Sequence, residues 1–341
     1  MSELIQQVLG QLVRGDRLDE ETTEQVFTGI LKGDVPAEQI AGLLAMIQQR
    51  GATVDELVGA ARVMRRFVTT VEAPNDGKPL IDTCGTGGAP KAFNISTAAA
   101  IVAASTGKVR VAKHGNRSRT GRGSAEVLGQ LGVNLEATPE QEATSLKRVG
   151  VCFLYAMKHH PAMVHAGPAR RALGFPTLFN LLGPLTNPAG AARQLIGVYD
   201  ADLAKLVAHA LAKLGAERAM VVHGSDGLDE ITITGVTIIH EVQAGKVTTW
   251  ELDPREFGFE LAPIERIRME TVEQAADLIR QIVRGADGPA HDVVLLNAAA
   301  SLVVGGAVPD IRSGIDAARG AIQGGATAST LDQLVSASSD P

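Results

Sequence analysis

Residues 80–105 read LIDTCGTGGAPKAFNISTAAAIVAAS, and three textures follow one another within them. A short apolar run (80–84) suits a buried strand, a glycine cluster (85–88) a tight turn, and the small apolar residues from Ser96 a buried helix. Asn94, Ser96 and Thr97 supply the short polar side chains that favour a helix start. This βα unit recurs downstream. VRVA (109–112) leads to a helix from Ser124, VCFLYA begins at 151, and RQLIGVY (193–199) leads to a helix from Asp202. RAMVVHG (218–224), ITITGVTIIHEV (231–242), KVTTWELD (246–253) and DVVLLNAA (292–299) read as further strands. Such alternation predicts an α/β fold with a central, mostly parallel sheet.

The first 70 residues differ. Leu4, Ile5, Val8, Leu9 and Leu12 recur at helical spacing, as do Val26, Phe27, Ile30 and Leu31, and then Ile40, Leu43, Leu44 and Ile47. TVDE (53–56) has the form of a capping box before a fourth helix through Leu57, Ala61 and Met64. The turn-rich VEAPNDGKP (71–79) marks a boundary. The reading is a small α-helical N-terminal domain (1–72) beside a large α/β domain (73–160 and 193–341). Part of the Pro- and Gly-rich segment 161–192 is expected to join the helical domain.

A net charge of -6 surrounds the chain with no surplus positive field, which argues against general nucleic-acid affinity. Two cysteines, Cys84 and Cys152, and no secretory or membrane-spanning pattern point to a reducing cytoplasm and no membrane partner.

Four constellations carry chemistry, each beside a plainer reading. The glycine turn with its following helix start suits a phosphate, though not the spacing of an ATP or NAD loop; alone it is equally a capped turn. VAKHGNRSRTGRGSAE (111–126) packs Lys113, His114, Arg117, Arg119 and Arg122 among small residues at the same sheet edge. It suits a phosphate cradle, a nucleic-acid patch without stacking aromatics, or a solvated loop. Asp229 and Glu230, after another strand end, suit Mg²⁺ with substrate phosphates, or an exposed acidic turn. His159, His160 and His165 lack zinc spacing, while Arg170 and Arg171 suit a carboxylate or plain solvent exposure. Cys84 reads as a buried thiol.

GTGG (85–88), NIST (94–97), KHGNR (113–117), GSA (123–125), ARRALG (169–174), FNLLGPLTNPA (179–189) and HGSDGLDE (223–230) occur in order. With them the chain resembles the anthranilate phosphoribosyltransferase family of tryptophan biosynthesis over essentially its whole length. The resemblance implies a fold of the nucleoside phosphorylase/phosphoribosyltransferase type, a homodimer through the helical domain, and two Mg²⁺ ions. It implies that 5-phosphoribosyl 1-diphosphate is bound by Gly85, Gly88, Ala89, Asn94, Ile95, Ser96, Thr97, Lys113, His114, Gly115, Asn116, Arg117, Arg119, Arg122 and Ser124. Asn116 and Arg170 would bind anthranilate, with Gly85, His114 and His160 along its path, and Ser96, Asp229 and Glu230 would hold the metal. No general base is expected, because an aniline-type amine is neutral and nucleophilic at pH 7.

Two departures stand out. Ala89 and Ala92 occupy positions where the family carries Asp and Thr, in a loop one residue shorter. After KHGNR a serine-rich stretch is replaced by the shorter, more basic SRTGRGSAE, with Glu126 for Asp. The expectation is that Arg119 and Arg122 replace the lost contacts to the diphosphate. The competing functions are a pyrimidine-nucleoside phosphorylase-like enzyme, a transferase for another aromatic amine, and a non-enzymatic nucleic-acid-binding paralogue.

Overall fold

The computed structural model describes residues 1–87, 92–118 and 121–340. Four helices open the chain: α1 (Ser2–Val13), α2 (Glu20–Lys32), α3 (Ala37–Arg50) and α4 (Val54–Arg66). The Thr53 hydroxyl accepts from Glu56 N while the Glu56 carboxylate accepts from Thr53 N, closing the expected capping box. The alternating part follows as β1 (Leu80–Gly85), α5 (Ile95–Ser105), β2 (Arg110–Gly115), α6 (Ser124–Leu131), α7 (Pro139–Arg148) and β3 (Val151–Tyr155). Three short helices, α8 (Ala156–His159), α9 (Gly167–Leu173) and α10 (Leu178–Leu182), precede β4 (Arg193–Gly197), α11 (Ala201–Lys213) and β5 (Arg218–Gly224). The chain ends with β6 (Thr237–Gln243), β7 (Lys246–Leu252), α12 (Val272–Val283), α13 (Pro289–Val304), α14 (Ile311–Gln323) and α15 (Ala326–Ala337).

The seven strands lie in the order β3-β2-β1-β4-β5-β6-β7. β1 to β5 pair in parallel, while β6 and β7 join as an antiparallel edge. Strand order reverses between β1 and β4, so their carboxyl ends frame the crevice where open α/β sheets bind ligands. One sheet face is covered by α5 and α13. The other shares a core with α11 and the N-terminal helices, to which α9 and α10 add Ala166, Ala169, Leu178, Leu181 and Leu182. Among the described residues no helix is long and apolar enough to cross a membrane.

One expected strand is a helix. DVVLLNAA lies inside α13, which begins at Pro289 and buries every residue from Val293 to Val304. A helix dry on all sides has no polar stripe, so its apolar run mimics a buried strand. ITITG, expected to start a strand, is instead a loop before β6.

The linker between the two parts is held by a buried histidine. His159 Nδ1 donates to Thr69 O at 2.8 Å, and its Nε2 faces the Glu142 carboxylate at 2.9 Å. Burial alone lowers the imidazole's proton affinity, but the Glu142 contact outweighs it and His159 titrates above 6.5. Burial raises Glu142 likewise. The folded pair therefore holds protons more tightly than the unfolded chain. Its stabilisation is complete below each group's ordinary value and is lost as pH rises through the folded ones. Denaturant unfolding at pH 6 and 8.5 should show wild type losing more stability with rising pH than His159→Gln, whose titration is removed.

Candidate active site

The crevice is built by strands that end in glycine. A Cβ on Gly197, the last residue of β4, would sit 1.6 Å from Asp229 O; on Gly85, at the end of β1, it would lie 2.8 Å from Asp229 Oδ2. Only glycine lets the loop after β5 lie directly on the strand ends. That loop is braced from within. Asp226 Oδ2 accepts from the Thr232 and Thr234 hydroxyls at 2.7 and 2.6 Å, and its Oδ1 accepts from Leu228 N at 3.1 Å.

So held, Asp229 and Glu230 reach the start of α5. Ser96 N donates to Glu230 Oε1 at 3.0 Å, so a carboxylate of the chain itself occupies this helix N-terminus. Protein crowds both acids although each keeps some accessible surface. Burial and then the neighbouring Asp229 push Glu230 up to about 8, and burial raises Asp229. Lys113 partly compensates: its buried Nζ donates to Thr83 O at 2.6 Å and to Ser96 Oγ at 3.3 Å. Among the described residues no group of three His, Cys, Asp or Glu gathers to hold a metal. Two carboxylates and a serine hydroxyl still fit Mg²⁺, which takes few protein ligands and leaves positions for water and phosphate.

The basic loop lies beside this pair. His114 and Gly115 end β2, and Asn116 and Arg117 follow, exposed, with the Arg117 guanidinium 5.9 Å from the Tyr155 ring centre. Glu126 closes the loop, its Oε2 accepting from Gly123 N at 2.9 Å and Ser118 N at 3.4 Å. Asn94 Nδ2 donates to Arg122 O at 3.3 Å, joining this loop to the start of α5. Arg122 Nη1 and Nη2 are buried with no hydrogen-bond partner among the described residues. Ser124 opens α6, its Oγ 3.4 Å from Asn116 O.

Two of the expected ligands have buried side chains. Ile95 is buried in the core, and its N–H is bonded to Phe93 O. Thr97 is buried, and its Oγ1 has no partner among the described residues. Ala92 packs against the core. Gly88, Ala89 and Arg119 lie outside the described residues.

A third wall comes from FNLLGPLTNP. His114 Nδ1 lies 3.1 Å from Gly183 O, which can only accept, so Nδ1 carries the proton. His114 Nε2 must then accept from His160 Nε2, 3.3 Å away. Burial, with the neighbouring histidines, pushes His114 down to about 3 and His160 to about 4, so both rings are neutral at pH 7. One turn before Gly183, the Phe179 ring centre lies 5.4 Å from the Arg170 guanidinium, which has no carboxylate partner among the described residues. The site thus joins loops suited to an anion, an acidic pair suited to a cation, and an arginine suited to a carboxylate.

The sequence reading missed the supports behind this edge. Asp82 is fully buried, and its Oδ1 accepts from His114 N at 3.0 Å. Gln194 Nε2 donates to Pro184 O at 2.7 Å, and Asn187 Nδ2 to Ala112 O at 2.8 Å. For Asp82 in β1 and Gln194 in β4, a polar residue inside an apolar strand was the available signal; Asn187 lies outside the strands.

Models of two domains of the glycosyl transferase family match the chain: the helical bundle domain over residues 6–68 and the a/b domain over 77–328. An anthranilate phosphoribosyltransferase from Thioalkalivibrio sulfidiphilus is 47% identical over 334 residues, covering 97% of this chain and 98% of that one. One from Methylobacillus flagellatus is 46% identical over 328 residues, 96% of each chain. The crystal structure of anthranilate phosphoribosyltransferase from Thermus thermophilus matches with a TM-score of 0.91 at 38% identity, covering 97% of this chain and 99% of that one. The Saccharomyces cerevisiae enzyme, solved in complex with PRPP and Mg, shares the fold at 24% identity with a TM-score of 0.89, covering 99% of both chains.

The Gly197 contact gives a direct test of this geometry. A methyl group there must displace the Asp229 backbone, and ångström-scale misplacement costs about 100-fold in rate. Gly197→Ala should lose activity on that order, while Gly77→Ala, in open space at φ +80°, should lose only stability. Steady-state rates beside unfolding curves separate the two.

Proposed function

The chain belongs to the anthranilate phosphoribosyltransferase family, and from that premise we propose how its site carries out the family's reaction. The enzyme transfers the 5-phosphoribosyl group of 5-phosphoribosyl 1-diphosphate (PRPP) to the amine of anthranilate, and pyrophosphate leaves. It is a pentosyltransferase of tryptophan biosynthesis. The observation that carries the site assignment is the meeting of Glu230 with Ser96 N beside Lys113.

PRPP lies along the sheet edge, its diphosphate near Gly85, Gly88, Asn94, Ser96, Lys113, Asn116, Arg117 and Ser124. Breaking the C1–O bond moves an electron pair onto pyrophosphate and leaves positive charge on the ribose. Fixed cations and N–H donors at the leaving group lower that barrier without reorganising. Two Mg²⁺ ions, held by Ser96, Asp229 and Glu230, would add charge neutralisation at the diphosphate. Arg170 takes the anthranilate carboxylate, and Asn116 orients the amine. The neutral His114–His160 pair walls the pocket without adding a charge that would trap the carboxylate in the wrong place. The amine attacks C1 as the lone-pair donor, and the weakly basic arylammonium so formed gives its proton to the departing pyrophosphate or to water, so the site needs positioning rather than a strong base.

Residues 1–72 with part of 161–192 make one unit and the remainder the other, and the active form is a homodimer through the helical part. Val13 and Val164, both in this part, leave apolar side chains 76% and 70% exposed. A cytoplasmic location fits a biosynthetic enzyme.

Arg122 supplies a further diphosphate contact, supported by its two buried nitrogens, which have no partner among the described residues. A hydrogen bond to a charged group contributes about 1.5–3 kcal/mol. Arg122→Ala should therefore raise the KM for PRPP about tenfold or more and leave the KM for anthranilate alone. An unchanged KM for PRPP would remove Arg122 from the site. Loss of anthranilate fluorescence with PRPP and Mg²⁺ tests the reaction itself. EDTA should abolish it, and pyrimidine nucleosides with phosphate should give no turnover. Activity that survives chelation would refute the metal assignment, and nucleoside cleavage would favour the phosphorylase reading.

A further inference from the structure

Asn297 stands at the centre of α13, fully buried among Val, Leu and Ala. An amide in such a place is costly unless its polar atoms are satisfied. Here they are, and mostly by one residue. Asn297 Oδ1 accepts from Ile231 N at 3.1 Å, while Nδ2 donates to Ile231 O and Val293 O, both at 2.8 Å. Ile231 lies in no strand, so the side chain of Asn297 does for its backbone what a neighbouring strand does elsewhere in the sheet.

The position of that clamp matters. Ile231 directly follows Glu230, whose carboxylate accepts from Ser96 N. The helix that carries Asn297 packs along α5, which begins at Ile95 beside Ser96. A single helix therefore touches both halves of the site: the α5 start through packing and the acidic pair through Asn297. Once both are ionised, as cation binding requires, Asp229 and Glu230 repel one another, and a free loop would relieve that repulsion by swinging one acid outward. The clamp at Ile231 opposes that movement from the core side, as Gly197 does from the sheet side.

We propose that Asn297 is a positioning residue that fixes the separation of Glu230 from Ser96 and so sets the affinity of the site for a divalent cation with the diphosphate. The inference rests on the reading of Ser96, Asp229 and Glu230 as the cation site. Partners that orient ligating groups typically cost 10–100-fold in metal affinity when lost.

The test uses the full chain and Mn²⁺ as a spectroscopic stand-in for Mg²⁺, titrated by electron paramagnetic resonance with PRPP present. Asn297→Leu, close in shape but unable to bond Ile231, should weaken Mn²⁺ binding 10–100-fold. It should raise the KM for PRPP in step and leave the KM for anthranilate within about twofold. Ser301→Ala is the control: it removes a buried hydrogen bond to Asn297 O on the same helix but none to Ile231. It should lower stability without moving Mn²⁺ affinity. Equal Mn²⁺ binding in wild type and Asn297→Leu would overturn the proposal, as would an equal weakening in Ser301→Ala. Wild type that binds no Mn²⁺ would instead remove the cation-site reading. Should Asn297→Leu fail to fold, hydrogen exchange of the wild-type chain still decides. The Ile231 amide should be strongly protected before any ligand is added, and rapid exchange there would refute a loop fixed in advance.

Discussion

Two carboxylates stand side by side in a crevice where protein has displaced most of the water. That repulsion is the constraint around which the rest of the molecule is arranged. Unpaired, Asp229 and Glu230 would swing apart or take up a proton; burial first, and then the charge of Asp229, push Glu230 up to about 8, so that at pH 7 it holds a proton. Each neighbouring feature acts against the repulsion. Ser96 N and the dipole of α5 meet one carboxylate, Lys113 brings a buried charge, and Gly197 leaves no space for the loop to retreat. Holding the two acids together is costly in the free protein, where Glu230 keeps a proton; a cation bound there, as proposed above, would displace that proton and offset the cost.

The same edge of the sheet must also connect two structural units, and FNLLGPLTNP makes that connection. Its backbone carbonyls reach outward in several directions: Leu185 O accepts from Arg65 of α4, Pro184 O from Gln194 of β4, and Gly183 O from His114 of β2. Asn187 and Pro188 continue the seam, bonding Ala112 O and Val71 N. Here α10 ends in a single 3₁₀ turn (Gly183–Leu185), and carbonyls at a helix end lack intrahelical partners, so they stay available for these contacts. One consequence is chemical. Gly183 fixes the proton on His114, and through it the tautomer of His160, so a backbone carbonyl decides the hydrogen-bonding character of the pocket wall.

Much of this was legible in the sequence because the responsible residues announce themselves locally. Glycines at strand ends, a capping box and apolar stripes at helical spacing each reflect one short-range constraint. The parallel sheet and the convergence of three loops followed from them. DVVLLNAA failed because periodicity carries no information when every side is buried, and the polar residue inside it, Asn297, is the one that matters for the site. Asp82, Gln194 and Gly183 were equally silent, since their roles depend on partners 32, 10 and 69 residues away. Sequence shows which groups carry chemistry; what holds them in register is tertiary.

The basic loop illustrates how a local field works in an acidic protein. Surface charges are screened beyond about 8–10 Å at physiological ionic strength, so a small anion in the crevice responds to Lys113 and Arg122 rather than to the net charge of -6. A polyanion spread over the surface would instead meet the whole negative exterior. Arg117 is exposed, whereas the terminal nitrogens of Arg122 are buried, and Glu126 makes that possible. Its carboxylate draws in Gly123 N and Ser118 N, which shapes the loop, while leaving both terminal nitrogens of Arg122 without a partner among the described residues. A carboxylate that instead paired with Arg122 would quench the charge it positions. By bonding backbone rather than guanidinium, Glu126 organises a positive site without neutralising it.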